Sequence, residues 1–99
     1  MSIKQEIVTI ENVRKTASLL KEVVLTTPLM KNNFLSDKFN ANIFFKREDL
    51  QQVRSYKIRG AYNKIASLSP QKQKRGVLTA SAGNHAQGVA LSCKLLKIN

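Results

Sequence analysis

The second half of the chain changes its hydrophobic period twice between Ser55 and Leu96, and that alternation restricts the fold more than any other feature. Ile58, Ala61, Tyr62, Ile65 and Leu68 recur at helical spacing behind Ser55, a candidate N-cap, and Pro70 lies just past their end. Val77-Leu78-Thr79 is a short β-branched run suited to a buried strand. The small residues Ala80 to Gly83 then predict a tight turn. Asn84 opens a further helix, with Ala86, Val89, Ala90, Cys93 and Leu96 on its apolar side. Helix, strand, turn and helix together predict a piece of an α/β layered domain. A strand of this kind needs sheet partners, and Leu95 to Asn99 reads as a helix end that leads into another strand.

The first half is less regular. Thr9 is a plausible N-cap for a helix whose apolar positions are Ile10, Val13, Ala17, Leu20 and Val24. The β-branched stretch from Val23 to Thr27 then runs extended into Pro28, whose predecessor is biased away from helix. Leu35 to Phe39 fits a short helical turn. Ile43 to Lys46 fits a brief strand that pairs either with Val77 to Thr79 or within a different sheet.

Composition removes several function classes. No apolar run approaches the ~20 residues of a membrane span, and Glu6 stands where a secretory signal needs apolar residues. A single cysteine, Cys93, excludes a disulfide framework and a cysteine-rich zinc site, and on an apolar helix face it reads as a buried small hydrophobe. The expected compartment is the cytoplasm. A net charge of +11 raises the alternative of a small basic nucleic-acid-binding module. Six bases and no acid fall between Ala61 and Asn99. However, the densest basic run, Lys72-Gln73-Lys74-Arg75, has no neighbouring aromatic for base stacking and reads as a solvated turn. The expected partner is a small molecule, with no nucleic acid and no membrane.

Two segments carry chemistry. In Ser55-Tyr56-Lys57-Ile58-Arg59-Gly60-Ala61, Lys57 falls in the first turn of a predicted helix. The helix dipole disfavours a cation there and favours the amine form that attacks carbonyls. In Ala80-Ser81-Ala82-Gly83-Asn84-His85-Ala86-Gln87-Gly88, a turn opens a helix whose N–H groups suit a phosphate or carboxylate. Taken singly, local physics favours the ordinary readings, a solvated lysine and a plain turn. Glu48 and Asp49 are adjacent, so their side chains diverge, which fits an orienting role better than paired-carboxylate catalysis. Arg59 is expected to anchor a carboxylate inside the fold. Tyr56 is placed either near a ligand or in the core, and His85 either at the site or as a cap or packing residue. A lone histidine excludes a multi-histidine metal site.

Together with Phe45-Lys46-Arg47-Glu48-Asp49-Leu50-Gln51, these segments closely resemble the serine/threonine dehydratases among the fold type II pyridoxal-phosphate enzymes. The resemblance runs from the helix before Thr27-Pro28-Leu29 to the end of the chain. It implies the open parallel sheet flanked by helices of the tryptophan synthase β-like fold, incomplete here. Residues 1–99 then form the N-terminal part of the catalytic domain. It also implies that Lys57 forms the Schiff base with pyridoxal 5′-phosphate and that Asn84 hydrogen-bonds the oxygen on the cofactor ring. Ser81, Gly83 and His85 are implied to lie in the loop that holds the substrate carboxylate. Within the family the motifs most resemble the biosynthetic threonine dehydratases, which make 2-oxobutanoate for isoleucine. Catabolic threonine/serine dehydratases and serine racemases are the alternatives. Related racemases carry an acid/base serine where this chain has Ala82, and an alanine moves no proton.

The implied reaction uses the freed Lys57 amine to take the α-proton of L-threonine, or of L-serine, after which the β-hydroxyl leaves as water. The resemblance further implies a homo-oligomer. It places a phosphate-cradling glycine-rich loop beyond Asn99, since the four glycines here are scattered at positions 60, 76, 83 and 88. The expectation is therefore a fragment that neither folds stably nor turns over threonine alone, with a non-catalytic remnant as the other reading.

Overall fold

A computed structural model describes residues 8–99. Helix α1 spans Ile10–Leu20 and starts as expected, with Thr9 Oγ1 accepting the Asn12 N–H at 3.1 Å. Val24 does not continue it. The N–H groups of Val23 and Val24 both turn back to the Leu20 carbonyl, and the chain then runs extended to Pro28. Of the α1 apolar positions only Leu20 is fully buried, while Ile10 and Val13 face outward.

Strand β1, Leu29–Lys31, is an element the sequence pattern did not mark. It pairs antiparallel with β2, Phe44–Lys46, with Met30 opposite Phe45. This settles the partner of the Ile43 run, which pairs here and not with Val77 to Thr79. Helix α2, Asn33–Phe39, connects the two strands and is longer than one turn because Asn32 caps it. Ser36 is buried beneath it, where its hydroxyl accepts the Ile43 N–H at 3.0 Å and so pins the entry into β2.

Beyond a 3-10 turn at Glu48–Leu50, helix α3 covers Lys57–Ala66. Its Ile58, Ala61 and Ile65 are buried at the expected spacing, and with Leu20 and Val53 they make up the apolar core among the described residues. Tyr62 and Leu68 are only half-buried. Ser55 lies one residue too early for the formal N-cap position, which Tyr56 occupies, yet its hydroxyl accepts the Lys57 N–H at 3.3 Å. The basic run is not a bare turn. Pro70–Lys74 forms a short helix, α4, because Ser69 caps it and Pro70 suits the first helical position. Its bases nevertheless remain solvated.

Helix α5, Asn84–Leu96, packs chiefly against α3. Its buried face differs from the one that apolarity predicts. Gly88 and Ser92 are buried, whereas Ala86, Val89, Cys93 and Leu96 are half-buried and Ala90 is exposed. At Gly88 the two helices approach closely enough that a side chain would press on the α3 backbone, and the buried Ser92 is self-satisfied, donating to the Gly88 carbonyl at 2.7 Å. Val77 to Thr79, expected as an interior strand, is extended but unpaired among the described residues, and Leu78 is 99% exposed. A strand requires a neighbour's backbone groups. Here only the Val77 N–H finds one, in the carbonyl of Asn99.

Candidate active site

Lys57 is the first residue of α3, and the chain leading to it is held by a buried polar cluster. Gln51 is 2% exposed. Its side chain accepts the Leu25 N–H at 3.0 Å, donates to the Leu25 carbonyl at 2.9 Å and donates to Glu48 Oε2 at 2.7 Å. Glu48 Oε1 accepts from Arg59 Nε. Burial alone would push the Glu48 carboxyl up. Hydrogen bonds from Arg59 and Gln51, with the charges of Arg59 and Lys46, outweigh burial and hold it below its ordinary value. Asp49 turns away to a two-bond pair with Arg47, at 2.9 and 2.8 Å. The two carboxylates thus diverge as expected, and Arg59 anchors one of them internally.

The Arg54 N–H then bonds to the Gln51 carbonyl at 2.8 Å, and Arg54 itself is left-handed at φ 63°. This turn delivers Ser55, Tyr56 and Lys57 to the start of α3. Tyr56 is 60% exposed and not a core residue. The Lys57 Nζ sits 4.9 Å from its ring centroid, over the face of the ring.

The second segment forms the entrance to α5. Ser81, Ala82, Gly83, Asn84 and His85 are all exposed. The Ser81 hydroxyl accepts two backbone N–H groups, from Gly83 and from Ala86, each at 3.2 Å, and so caps the helix. The Gln87 N–H is taken by the Gly83 carbonyl. The amides of Asn84 and His85, the first two of α5, point out of the helix end with no intrahelical acceptor. Those two donors are available to an anion, whereas the Ser81 oxygen is engaged in shaping the loop.

Gly88 joins the two segments. A Cβ at this position would stand 3.0 Å from the Lys57 carbonyl carbon, 3.1 Å from its oxygen and 3.2 Å from the Ile58 nitrogen. Asn84, Gly88 and Ser92 follow at four-residue intervals along the face of α5 that meets α3. Gly88 lies against the Lys57 peptide, and Asn84 stands one turn of α5 before Gly88. Pattern reasoning missed the roles of Gln51 and Gly88. A glycine inside a helix is a signal of close approach, whereas nothing in the local pattern marks Gln51.

A groove of about 390 Å³ lies elsewhere, lined by Leu20, Lys21, Leu25, Lys46, Glu48 and Arg59 among others, and includes none of Lys57, Ser81, Gly83, Asn84 or His85. Among the described residues no three His, Cys, Asp or Glu side chains group as metal ligands, and no helix is long and apolar enough to cross a membrane.

Residues 20–99 match the family described as pyridoxal-phosphate dependent enzyme. The chain belongs to that family. It is 49% identical over 96 residues to the biosynthetic L-threonine dehydratase of Bacillus subtilis, covering 97% of this chain and 23% of that protein. Among solved structures, the processed form of threonine deaminase isoform 2 from Solanum lycopersicum superposes with a TM-score of 0.74 at 40% identity, over 92% of this chain and 26% of that one. Maize serine racemase superposes with a TM-score of 0.82 at 37% identity, over 90% and 27%. The fold is thus that of the fold type II pyridoxal-phosphate enzymes. The chain spans about a fifth of the length of the curated relatives it matches.

The residues present suit the family's cofactor as far as they extend. A primary amine at the start of one helix, an amide side chain at the start of the next and two outward N–H groups are donors for an aldehyde, a ring oxygen and an anionic group.

Proposed function

We propose that the protein takes part in the pyridoxal-phosphate-dependent dehydration and deamination of L-threonine to 2-oxobutanoate and ammonia, the first step of isoleucine biosynthesis. Residues 1–99 supply the N-terminal part of the catalytic domain of a homo-oligomeric cytoplasmic enzyme. The observation that supports this reading is the seam in which Gly88 meets the Lys57 peptide, one turn of α5 from Asn84. The names of the biosynthetic L-threonine dehydratases it resembles supply the substrate.

When bound, the cofactor supplies the electron sink for a carbanion at the substrate α-carbon. Lys57 would hold the cofactor through its amine, and that amine, when free, would take the substrate α-proton on Nζ. The Asn84 side chain would hold the ring by a hydrogen bond to its oxygen. Ser81 fixes the loop, and the amides of Asn84 and His85 hold the substrate carboxylate beside Gly83, where the helix dipole adds to the attraction. Loss of the β-hydroxyl as water, then tautomerisation and hydrolysis, give 2-oxobutanoate and ammonia. Ala82 offers no proton donor on the opposite face, which supports elimination over racemisation.

The similarity to maize serine racemase favours a second reading, racemisation of serine. Assays on the full gene product separate the two. The expected result is 2-oxobutanoate from L-threonine, abolished by Lys57→Ala, with unreacted L-serine retaining its configuration. Conversion of L-serine to D-serine without threonine turnover would overturn the threonine reading.

A further inference from the structure

Gly88 has no side chain to touch a ligand, yet it is buried against the peptide that carries Lys57. We propose that Gly88 is a positioning residue of the cofactor site, setting the separation between Lys57 and Asn84 by letting α5 rest directly on the Lys57 carbonyl. The proposal rests on the reading of Lys57 and Asn84 as cofactor residues.

Three observations support it. The three atoms nearest to a Cβ at 88 are all backbone, at 3.0 to 3.2 Å, so no side-chain rotation relieves these contacts. The atoms it would meet belong to Lys57 and Ile58, and Ile58 is 2% exposed and therefore cannot yield toward the core. On the same face of α5, Ser92 is fully buried one turn beyond Gly88 and donates to the Gly88 carbonyl at 2.7 Å, so the next turn is packed as tightly. Relief must come from moving one helix along or away from the other. Lys57 and Asn84 sit on different helices, so such a movement changes the distance between the groups that hold two adjacent substituents of one rigid ring.

Gly60 provides an internal control. It lies in α3 three residues after Lys57, and a Cβ there meets nothing within 4 Å. The same glycine-to-alanine exchange is therefore made at two helical positions, of which only one touches the Lys57 peptide.

The test uses the full gene product in three forms, wild type, Gly88→Ala and Gly60→Ala. Each is titrated with pyridoxal phosphate by its visible absorption band, and bound cofactor is then fixed with borohydride and mapped by peptide mass spectrometry. Far-UV circular dichroism of the cofactor-free forms reports folding. The expected result is cofactor affinity and band position unchanged in Gly60→Ala, and at least tenfold weaker affinity with a displaced band in folded Gly88→Ala. Folded Gly88→Ala with wild-type affinity and band would overturn the inference. If Gly88→Ala does not fold, Ser92→Ala decides. At least threefold weaker affinity in that variant supports the inference, and unchanged affinity overturns it. Wild-type protein that takes no cofactor on Lys57 would instead overturn the functional reading itself.

Discussion

The Gln51 side chain closes a two-bond ring on the backbone of Leu25, accepting from its N–H and donating to its carbonyl at 3.0 and 2.9 Å. A side-chain amide thus acts as a strand neighbour would, satisfying a segment that has left α1 and not yet reached β1. The same amide reaches Glu48, which holds Arg59 two residues past Lys57. One buried residue therefore ties the start of the chain to the helix that bears the candidate catalytic lysine.

Replacing Gln51 by Leu keeps the volume and leaves the Leu25 N–H and carbonyl without partners. Each of these part-buried bonds contributes about 0.5–1.5 kcal/mol. The expected loss is about 1–3 kcal/mol, measured by urea denaturation of the full gene product. A loss under about 0.5 kcal/mol, the range of an ordinary surface change, would show that water replaces the ring without cost.

Glu48 sets a pH dependence of known sign. Its carboxyl is held below the ordinary value of 4.5 in the folded state, so the folded state binds fewer protons than the unfolded one in that range. Its stabilisation is fully present above the unfolded value and is lost as pH falls through the folded one. The urea midpoint should therefore drop on acidification from about pH 6 to about pH 3, across the carboxylate range, and Glu48→Gln should flatten that drop. The exposed Arg47–Asp49 pair is screened by water, so Asp49→Asn should leave the midpoint nearly unchanged.

Two glycines outside the seam respond oppositely to alanine. Gly60→Ala adds a helix former in open space and should stabilise by roughly 0.5–1 kcal/mol. Gly76 has φ +87°, and a Cβ there stands 2.8 Å from the Asn99 carbonyl oxygen. Gly76→Ala should destabilise by more than about 1 kcal/mol. Thermal midpoints of the two variants, moving in the same direction, would contradict this.

The 99-residue polypeptide by itself leaves much apolar surface in water. Leu78 is 99%, Phe34 74% and Leu29 64% exposed, against five buried apolar residues among those described. Exposure on this scale predicts strong binding of a hydrophobic dye and a broad thermal transition. A sharp cooperative transition with no dye binding would show that the small core suffices.

The parts of the fold legible in sequence are those governed by local rules. Thr9 caps α1, Ile58, Ala61 and Ile65 line α3, and Asn84 opens α5, because capping and period need only near neighbours. The β1–β2 ribbon was half visible, since Leu29–Lys31 is too short to show alternation and gains its identity from its partner. The buried face of α5 was misjudged because close helix contact selects for smallness and not for apolarity, as Gly88 and Ser92 show. At the candidate site, Lys57 and Asn84 are marked by motif resemblance, and the structure adds the close contact of Gly88 with the Lys57 peptide. Gln51 was illegible as a tether because both its Leu25 bonds span twenty-six residues of sequence.

The most direct measurement on the central claim is the position of the covalently held cofactor. The full gene product, loaded with pyridoxal phosphate, reduced with borohydride and digested, should yield one labelled peptide, modified at Lys57. Label on Lys46, Lys64 or any other lysine with Lys57 unmodified would contradict the assignment of this site.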